Sequence, residues 1–321
     1  MFKKQNASWG ENISGARIWV TGHNGLVGGN ICEILKTLDC EVFKIPRAEL
    51  DLTRQSDVEE VFNQLKPDIV INAAALVGGI EVNRLKPAEF AYQNMMIGAN
   101  LVHNAARIGV SKFVNLGSSC IYPRLARQPA AESSLLTGAL EPTNEGYAIG
   151  KISTLKLCQF YRQEYGLDFI TAIPTNLYGP GDNFSPTYGH VIPAFMYKFY
   201  NAIKNNEEKV TFWGTGTPVR EFLYIKDAAE ALVHLTLNYS DLEPINVSGG
   251  QSCNIFELAE KIRHISGYQG EIVWDEDKPD GMPRKALDST KIEGLGWKPA
   301  VDLDTGLRET WSYFLSKIAE G

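Results

Sequence analysis

A short apolar strand, a glycine-rich turn and the start of a helix follow one another in Arg17-Ile18-Trp19-Val20-Thr21-Gly22-His23-Asn24-Gly25-Leu26-Val27-Gly28. Glycines at this spacing let the backbone turn tightly and approach a pyrophosphate, which the positive end of a helix attracts. The spacing is GxxGxxG and not GxGxxG, and a glycine cluster alone is more often a plain turn. The strand–turn–helix setting favours nucleotide binding.

Strands and helices alternate along the rest of the first half, and the first helix is predicted to run to about Leu38. The later elements are predicted at 40–44 (strand), 57–65 (helix), 69–72 (strand), 89–108 (helix), 112–116 (strand), 147–165 (helix) and 169–173 (strand). This alternation indicates βαβ units and a parallel sheet. We therefore predict an α/β fold, a Rossmann-type doubly wound parallel sheet with a smaller mixed α/β substrate lobe.

The composition changes after Pro174, where Gly, Pro, Asn and aromatic residues become frequent. A helix and strand pattern then returns before the chain becomes mixed. We predict two units from this change, a dinucleotide-binding domain over 1–174 that is continued by 221–248, and a substrate-binding lobe made of 175–220 and 249–321.

Length and charge limit the classes of function. The chain has 321 residues, of which 44% are hydrophobic, and a net charge of −7. A core is therefore expected, and a basic face for nucleic acid is not. Residues 1–15 are predicted to be a loose polar leader without the apolar core of a secretory signal, and no membrane span is predicted.

The cysteines indicate a reducing compartment. They number five, an odd count, and show no CxxC spacing; they are Cys32, Cys40, Cys120, Cys158 and Cys253. This favours free thiols over disulfides or a zinc site. We predict a cytoplasmic location and no metal.

Two segments carry the predicted chemistry, Gly117-Ser118-Ser119-Cys120-Ile121-Tyr122-Pro123 and Tyr147-Ala148-Ile149-Gly150-Lys151. Residues four apart on a helix point the same way, and a cationic lysine is expected to lower the pKa of a neighbouring phenol. A serine at a strand end can reach the same substrate oxygen, and a cysteine adds a second acid/base group. YxxxK alone occurs by chance in many helices, but this context predicts carbonyl reduction with proton movement beside the carbonyl.

The end of the second strand selects the cofactor. Lys44 and Arg47 lie there, and no carboxylate precedes Glu49. An acidic residue would bind the ribose 2′-hydroxyl of NAD, whereas basic residues accommodate a 2′-phosphate. The pair therefore favours NADP(H), although two cations can also be a plain surface pair. Asp51 and Leu52 follow in a position suited to flank the adenine.

Together the motifs resemble the extended short-chain dehydrogenase/reductases. They are TGxxGxxG, NAAA, GSSCIYP, YxxxK, PTNLYGP, HVIP, WGxGxPxREF and KPDGxPRK, between about 17 and 314. Three of these segments together are similar to a narrower group within the family, the members that act on GDP-4-keto-6-deoxy-D-mannose. The segments are SSCIYP, EPTNEGYAIGK and HVIP. The resemblance implies an NADP(H)-dependent enzyme that epimerises this GDP-sugar at C3 and C5 and reduces it at C4, giving GDP-L-fucose.

The resemblance also implies a role for each catalytic residue. Tyr147 would donate a proton to O4 as hydride reaches C4, Ser118 would bind O4, and Lys151 would hold the nicotinamide ribose. Cys120 and His190 would be the acid/base pair for C3 and C5. Inversion needs one group to remove a proton and another to return it from the opposite face, and both a thiol and an imidazole titrate near neutral pH.

Binding residues follow from the same resemblance. The implied cofactor contacts are Gly22, His23, Asn24, Gly25, Leu26, Val27, Gly28, Arg47, Asp51, Leu52, Ala74, Lys151, Pro174, Asn176, Leu177 and His190. The implied substrate contacts are Lys198, Trp213, Arg220, Asp280 and Lys285. Asn24 is a departure, because bacterial relatives often carry arginine there, near the 2′-phosphate. Arg47 is therefore the main candidate for that contact.

The same residues argue against several other activities that occur on this fold. A 4,6-dehydratase typically has an Asp-Glu pair where Ser119 and Cys120 stand, and a UDP-hexose 4-epimerase has no need of the Cys120–His190 pair. An inactive dinucleotide sensor would be expected to lose Ser118, Tyr147 or Lys151. An NADPH-dependent 4-reductase of another GDP-4-keto-6-deoxy-hexose or heptose, with little or no epimerisation, stays open.

Two helices predict self-association. The helices at 89–108 and 147–165 carry apolar residues on more than one face, among them Phe90, Met95, Met96, Ile97, Leu155, Leu157 and Phe160. One face would pack on the sheet and the other on a two-fold mate, which gives a homodimer built on a four-helix bundle. The alternative is a monomer whose second lobe covers this surface.

Overall fold

The computed structural model describes residues 13–185, 189–278 and 280–320. Most of the predicted polar leader, residues 1–12, lies outside the described residues. The strands are β1 (Ala16–Thr21), β2 (Cys40–Phe43), β3 (Ile69–Asn72), β4 (Lys112–Leu116), β5 (Phe169–Pro174), β6 (Asn176–Tyr178), β7 (Lys209–Trp213), β8 (Val219–Tyr224), β9 (Ile245–Val247), β10 (Ser252–Asn254), β11 (Glu271–Asp275) and β12 (Arg284–Lys285).

Helices connect and cover these strands. They are α1 (Leu26–Leu35), α2 (Gln55–Leu65), α3 (Ile80–Leu85), α4 (Pro87–Ile108), α5 (Glu145–Tyr165), α6 (Val191–Asn205), α7 (Ile225–Asn238), α8 (Ile255–Ser266), α9 (Thr290–Gly294) and α10 (Leu303–Glu320). The strand and helix alternation predicted for the first half is confirmed.

The main sheet is parallel and has the strand order β2-β1-β3-β4-β5-β9. The strand order reverses at β1, because β2 lies on one side of it and β3 on the other. In sheets of this kind, ligands bind at such a switch point, outside the carboxyl ends of the strands. The predicted fold class is confirmed.

Burial on both faces explains the apolar runs of the central strands. All residues of β3, β4 and β5 are buried, as expected for parallel strands covered by helices on both sides. On one face α4 and α5 pack closely, since a Cβ on Gly98 would lie 1.8 Å from the Thr154 hydroxyl oxygen. This close contact fixes the position of α5, the helix that carries Tyr147 and Lys151.

A second group of strands lies beside the main sheet. β8 pairs with β10, β12 and β6, while β11 and β7 form a separate parallel pair. β8 thus belongs to this second group, and the following strand β9 is the one that returns to the main sheet. The predicted division into a domain of 1–174 with 221–248 and a lobe of 175–220 with 249–321 stays a prediction.

Among the described residues there is neither a membrane-spanning helix nor a cluster of metal-ligating side chains. None of the helices there is long and apolar enough to span a membrane. No group of His, Cys, Asp and Glu side chains within that part of the chain could hold a metal ion.

Candidate active site

The glycine turn closes tightly at the switch point. Gly22 has φ +70°, and a Cβ there would lie 2.8 Å from the backbone of Ala73, just after β3. A Cβ on Gly28 would lie 2.3 Å from the Gly22 carbonyl oxygen. A side chain at either position would therefore push the start of α1 away from the ends of β1 and β3.

The start of α1 fits a dinucleotide diphosphate. Within the described part of the chain, no side chain caps this helix at Gly25, and no acidic residue lies in its first turn. The first N–H groups and the helix dipole are therefore available to an anion. The neighbouring His23 also has a buried Nδ1 with no hydrogen-bond partner among the described residues.

Two cations predicted to contact the 2′-phosphate follow β2. Arg47 and Lys44 are both exposed just after β2. Burial and then the charge of Lys44 lower the pKa of His23, so Lys44 acts on the glycine turn itself. Asp51 accepts hydrogen bonds from the N–H and hydroxyl of Thr53 at 2.9 and 2.7 Å, which anchors the loop after Arg47.

The other predicted cofactor contacts also follow the carboxyl ends of the main strands. Ala74 comes two residues after β3 and Pro174 ends β5. Leu52 accepts a hydrogen bond from Asn100 at 2.9 Å, and Asn176 donates one to the Glu221 carbonyl at 2.7 Å. Asn24 is exposed in the glycine turn, and Leu177 is half-buried in β6. Ala74 and Pro174 therefore lie at the carboxyl edge of the main sheet, whereas Asn176 and Leu177 belong to β6, which pairs with β8.

Ser118, Tyr147 and Lys151 meet at the end of β4. Lys151 is buried and its Nζ donates a hydrogen bond to the Leu116 carbonyl at 2.8 Å. The Nζ lies 6.0 Å from the centre of the Tyr147 ring. Ser118 lies close enough to Tyr147 to lower the pKa of its hydroxyl group.

The expected lowering of the Tyr147 pKa is wrong. Burial and the nearby Cys120 raise this pKa, and the nearby Ser118 offsets only part of the rise. Lys151 does not reverse the effect, because its Nζ is bonded to the Leu116 carbonyl and burial lowers its own pKa to about 8. Tyr147 is therefore a protonated phenol at neutral pH, which is the form that can donate a proton.

Cys120 lies next to this trio, on a short 3-10 turn that Ser118 caps. The Cys120 N–H donates to the Ser118 hydroxyl oxygen at 3.3 Å. The Cys120 Sγ accepts hydrogen bonds from Asn144 Nδ2 at 3.2 Å and Lys285 Nζ at 3.3 Å. Burial alone would raise the pKa of this thiol, but the charge of Lys285 and the hydrogen bonds of Ser118, Lys285 and Asn144 outweigh it, so the pKa is lowered.

His190 occupies a different place. It precedes α6 as its N-cap residue, and its exposed ring has Nδ1 4.0 Å from the buried carboxylate of Asp182. Among the described residues, a small cavity beside Cys120 is lined by Glu141, Asn144, Met282 and Lys285, and not by His190. The expected Cys120–His190 pair therefore stays a prediction.

The predicted substrate contacts fall into two groups. Arg220 on β8 and Lys285 on β12 are register partners, so their side chains share one face of the second sheet. Arg220 donates to the carbonyls of Val219 and Met282 at 2.9 and 2.7 Å, and burial lowers its pKa. Lys285 contacts Cys120, which the resemblance did not imply.

Lys198, Trp213 and Asp280 form the second group. Lys198 on α6 donates to the Thr211 carbonyl at 2.8 Å, and burial lowers its pKa. Trp213 ends β7 with 61% of its surface exposed. Both carboxylate oxygens of Asp280 accept hydrogen bonds from Thr215, at 2.7 and 2.8 Å, so Asp280 closes the loop after Trp213.

Asn144 also belongs to the candidate site, because it contacts Cys120, and the sequence did not predict this contact. It stands in the quoted motif EPTNEGYAIGK, three residues before Tyr147. The motif signalled that the position mattered, but it did not indicate the partner. Asn144 and Cys120 are 24 residues apart in the chain, and only the fold brings them into contact.

Comparison with known proteins identifies the family of this chain. Residues 18–248 match the NAD dependent epimerase/dehydratase family, and the chain belongs to it. The resemblance predicted from the motifs is confirmed. Over 304 residues the chain is 50% identical to GDP-L-fucose synthase 1 of Arabidopsis thaliana, with 94% of each chain covered.

Two solved structures are also similar. A GDP-L-fucose synthetase from Naegleria fowleri bound to NADP has a TM-score of 0.88 and 27% identity, and the match covers 99% of this chain and 97% of that one. A GDP-mannoheptose C4 reductase from Campylobacter jejuni with NADP bound has a TM-score of 0.84 and 31% identity, with 94% and 98% covered.

Proposed function

We propose that this chain is an NADP(H)-dependent enzyme that converts GDP-4-keto-6-deoxy-D-mannose to GDP-L-fucose by epimerising C3 and C5 and then reducing C4. One observation carries the proposal: a proton-donor group (Ser118, Tyr147 and Lys151) and a thiol, Cys120, meet at the end of β4, where the Cys120 N–H donates to the Ser118 hydroxyl oxygen. The 50% identity to a GDP-L-fucose synthase supports the substrate assignment.

The glycine turn and the N-terminus of α1 would hold the cofactor diphosphate, and Lys151 would hold the nicotinamide ribose. When bound, NADPH supplies the hydride that reduces C4. Ser118 binds O4 of the sugar and orients it toward the Tyr147 hydroxyl. Tyr147 then donates its proton to O4, and its raised pKa keeps that proton in place until negative charge develops on the oxygen.

Epimerisation uses the acidity of the protons beside the C4 ketone. Removal of a proton from C3 or C5 sends the C–H electron pair toward O4, where Ser118 and Tyr147 stabilise the developing charge. Cys120 and His190 are the pair that takes the proton and returns one from the opposite face. Arg220 brings a cationic group for the diphosphate of the GDP-sugar. The exposed Trp213 ring can stack on a flat base.

One experiment tests both halves of the proposal. We expect GDP-4-keto-6-deoxy-D-mannose and NADPH in deuterated water to give GDP-L-fucose carrying deuterium at C3 and C5, as read by NMR of the product. Reduction without deuterium at these carbons would contradict the epimerase half. It would favour a 4-reductase of the kind represented by the GDP-mannoheptose C4 reductase. That protein is 31% identical to this chain, whereas GDP-L-fucose synthase 1 of Arabidopsis thaliana is 50% identical.

Arg47→Ala tests the choice of NADP(H). A guanidinium bonded to the 2′-phosphate contributes about 1.5–3 kcal/mol, so its loss is expected to weaken NADPH binding by roughly 10- to 100-fold. NADH binding should change little, because NADH lacks this phosphate. Fluorescence titration with each nucleotide measures the two affinities.

Arg54→Ala is the matched control, because Arg54 is an exposed arginine paired with Asp57 on the next helix. It should leave both affinities near those of the wild type. Equal losses for NADPH and NADH in Arg47→Ala would show that Arg47 does not contact the phosphate, and Lys44 would become the candidate.

A homodimer is also part of the proposal. Phe90 and Leu155 face the core, whereas Tyr92, Met95, Ile149 and Phe160 on the same two helices are exposed. An apolar outer face on α4 and α5 is what a four-helix interface between two copies needs.

Light scattering at micromolar concentration should give about 71 kDa, twice the chain mass of 35.6 kDa. A charge placed on this face by Phe160→Glu should shift the mass toward one chain, because a charge is not readily buried. Leu315→Glu, at an exposed position of α10, should leave the mass unchanged. A wild-type mass near 36 kDa would contradict the homodimer.

The cysteines support a cytoplasmic location. All five are unpaired, and three of them, Cys32, Cys158 and Cys253, are buried. Unpaired thiols are typical of a reducing compartment. Fractionation of the source cells would test the location.

A further inference from the structure

The Cys120 sulfur is surrounded by hydrogen-bond donors. Lys285 Nζ lies 3.3 Å from Sγ, and Asn144 Nδ2 lies 3.2 Å from it. An ammonium group can only donate hydrogen bonds, and so can the nitrogen of an amide. A neutral thiol accepts hydrogen bonds weakly, whereas a thiolate accepts them strongly and is attracted by the ammonium charge. The surroundings are therefore complementary to the charged form of the sulfur.

We propose that Lys285 and Asn144 hold Cys120 as a thiolate and so prepare it to remove the protons from C3 and C5. They act through Cys120 and are positioning residues. The thiolate half stands on the contacts in the structure, and the proton-removal half rests on the proposed function.

One proton leaves the carbon to Cys120, and another proton returns to the opposite face from His190. The C–H bond breaks, its electron pair moves into the ketone to form an enolate, and the proton forms an S–H bond. Protonated His190 then gives a proton to the opposite face of the carbon. Cys120 is left as a thiol and His190 as a neutral imidazole, and proton exchange with water restores both.

The other charged groups around Cys120 oppose this less than Lys285 favours it. Glu141 lines the same cavity, but its carboxylate accepts from the N–H and hydroxyl of Thr143 and lies 3.5 Å from Arg124. Tyr147 is neutral, since its pKa is raised. For Cys120 itself, the lysine charge and the hydrogen bonds overcome the effect of burial, and the thiol pKa is lowered.

The fold fixes the backbone positions of the two donors. Lys285 ends β12, where it is the register partner of Arg220 on β8. The next residue, Ala286, donates its N–H to Gln128 at 2.8 Å, and Leu287 donates to the buried Glu221 at 2.9 Å. Asn144 is held just before α5, on a short 3-10 turn that Glu141 caps. Both donors are thus fixed by backbone contacts that do not involve the sulfur.

The test titrates the Cys120 thiol directly and needs no sugar nucleotide. The rate of alkylation by iodoacetamide is measured against pH, and mass spectrometry of the Cys120 peptide reports the site, with Cys120→Ser as the blank. Loss of a cation within about 4–6 Å changes a pKa by about 1–3 units. We therefore expect Lys285→Met to move the titration midpoint upward by about that amount, while Lys285→Arg keeps it near the wild-type value.

Two further variants distinguish the effect of a charge beside the Cys120 sulfur from the effect of changing the net charge of the protein. Lys278→Met removes an exposed lysine elsewhere in the same lobe and should leave the midpoint unchanged. Asn144→Asp keeps the shape of the side chain but places a carboxylate beside the sulfur, and should raise the midpoint. The proposal is overturned if Lys285→Met titrates like the wild type, or if Lys278→Met moves the midpoint as far as Lys285→Met does.

The two proposals fail in different ways. Deuterium exchange at C3 and C5 of the GDP-sugar is measured on the same proteins. An upward shift of the midpoint in Lys285→Met, together with slower exchange that Lys285→Arg restores, supports both. A wild-type protein that shows the shifted thiol but exchanges no deuterium would overturn the proposed substrate and leave the thiolate site standing.

Discussion

Tyr147→Phe is expected to lower the rate of NADPH oxidation with the keto sugar by roughly two to four orders of magnitude, the usual contribution of a general acid. The phenyl ring keeps the packing of Tyr147 but cannot supply a proton to O4. The raised pKa of Tyr147 means that the wild-type hydroxyl is protonated throughout the neutral range. Single-turnover measurement of NADPH absorbance follows this step.

Deuterium exchange is the internal control for this variant. Cys120 and its two donors are untouched in Tyr147→Phe, so C3 and C5 should still exchange, although more slowly to the extent that Tyr147 helps to stabilise the enolate. NADPH affinity should stay near the wild-type value, because Lys151 and the glycine turn remain. Oxidation of NADPH at the wild-type rate would remove Tyr147 from the role of proton donor.

Local patterns in the sequence were enough to predict the main sheet. The turn from Gly22 to Gly28 follows a short apolar strand and precedes a helix, and each of these signals lies within about a dozen residues. The rules for βαβ units reduce the possible orders of the parallel strands to a few, and the structure shows which of them this chain adopts. The second group of strands was harder to predict, because β8 pairs with β6, β10 and β12 from three separate parts of the chain.

In the candidate site, too, contacts between distant parts of the chain could not be predicted from the sequence. Tyr147 and Lys151 lie on one helix, so their spacing alone predicted that they share a face. The pKa of Tyr147 depended on burial and on Cys120, which no spacing reports, and its direction was predicted wrongly. Lys285 was expected to meet the substrate, but its contact with Cys120 joins residues 165 positions apart. A contact between residues so far apart in the chain can be recognised only once the folded structure is known.

Cys120→Ser is expected to lower deuterium exchange at C3 and C5 by roughly two to four orders of magnitude, as for loss of a general base. The serine oxygen can accept the same hydrogen bonds from Lys285 and Asn144, so the shape of the site is kept. A hydroxyl has a far higher pKa than a thiol and does not ionise at neutral pH, even beside an ammonium group. The measurement is NMR of the GDP-sugar during incubation in deuterated water.

Reduction at C4 should be retained in Cys120→Ser, in contrast to deuterium exchange. Ser118, Tyr147 and Lys151 remain in Cys120→Ser, so NADPH should bind as tightly as in the wild type, and a keto sugar that already has the inverted configuration should still be reduced. Removing the thiolate also removes a charge that raises the pKa of Tyr147, so the variant's phenol should ionise at lower pH. If exchange survives intact in Cys120→Ser while only NADPH oxidation falls, the thiol serves the reduction, and the division of labour between the two groups is the reverse of the one proposed.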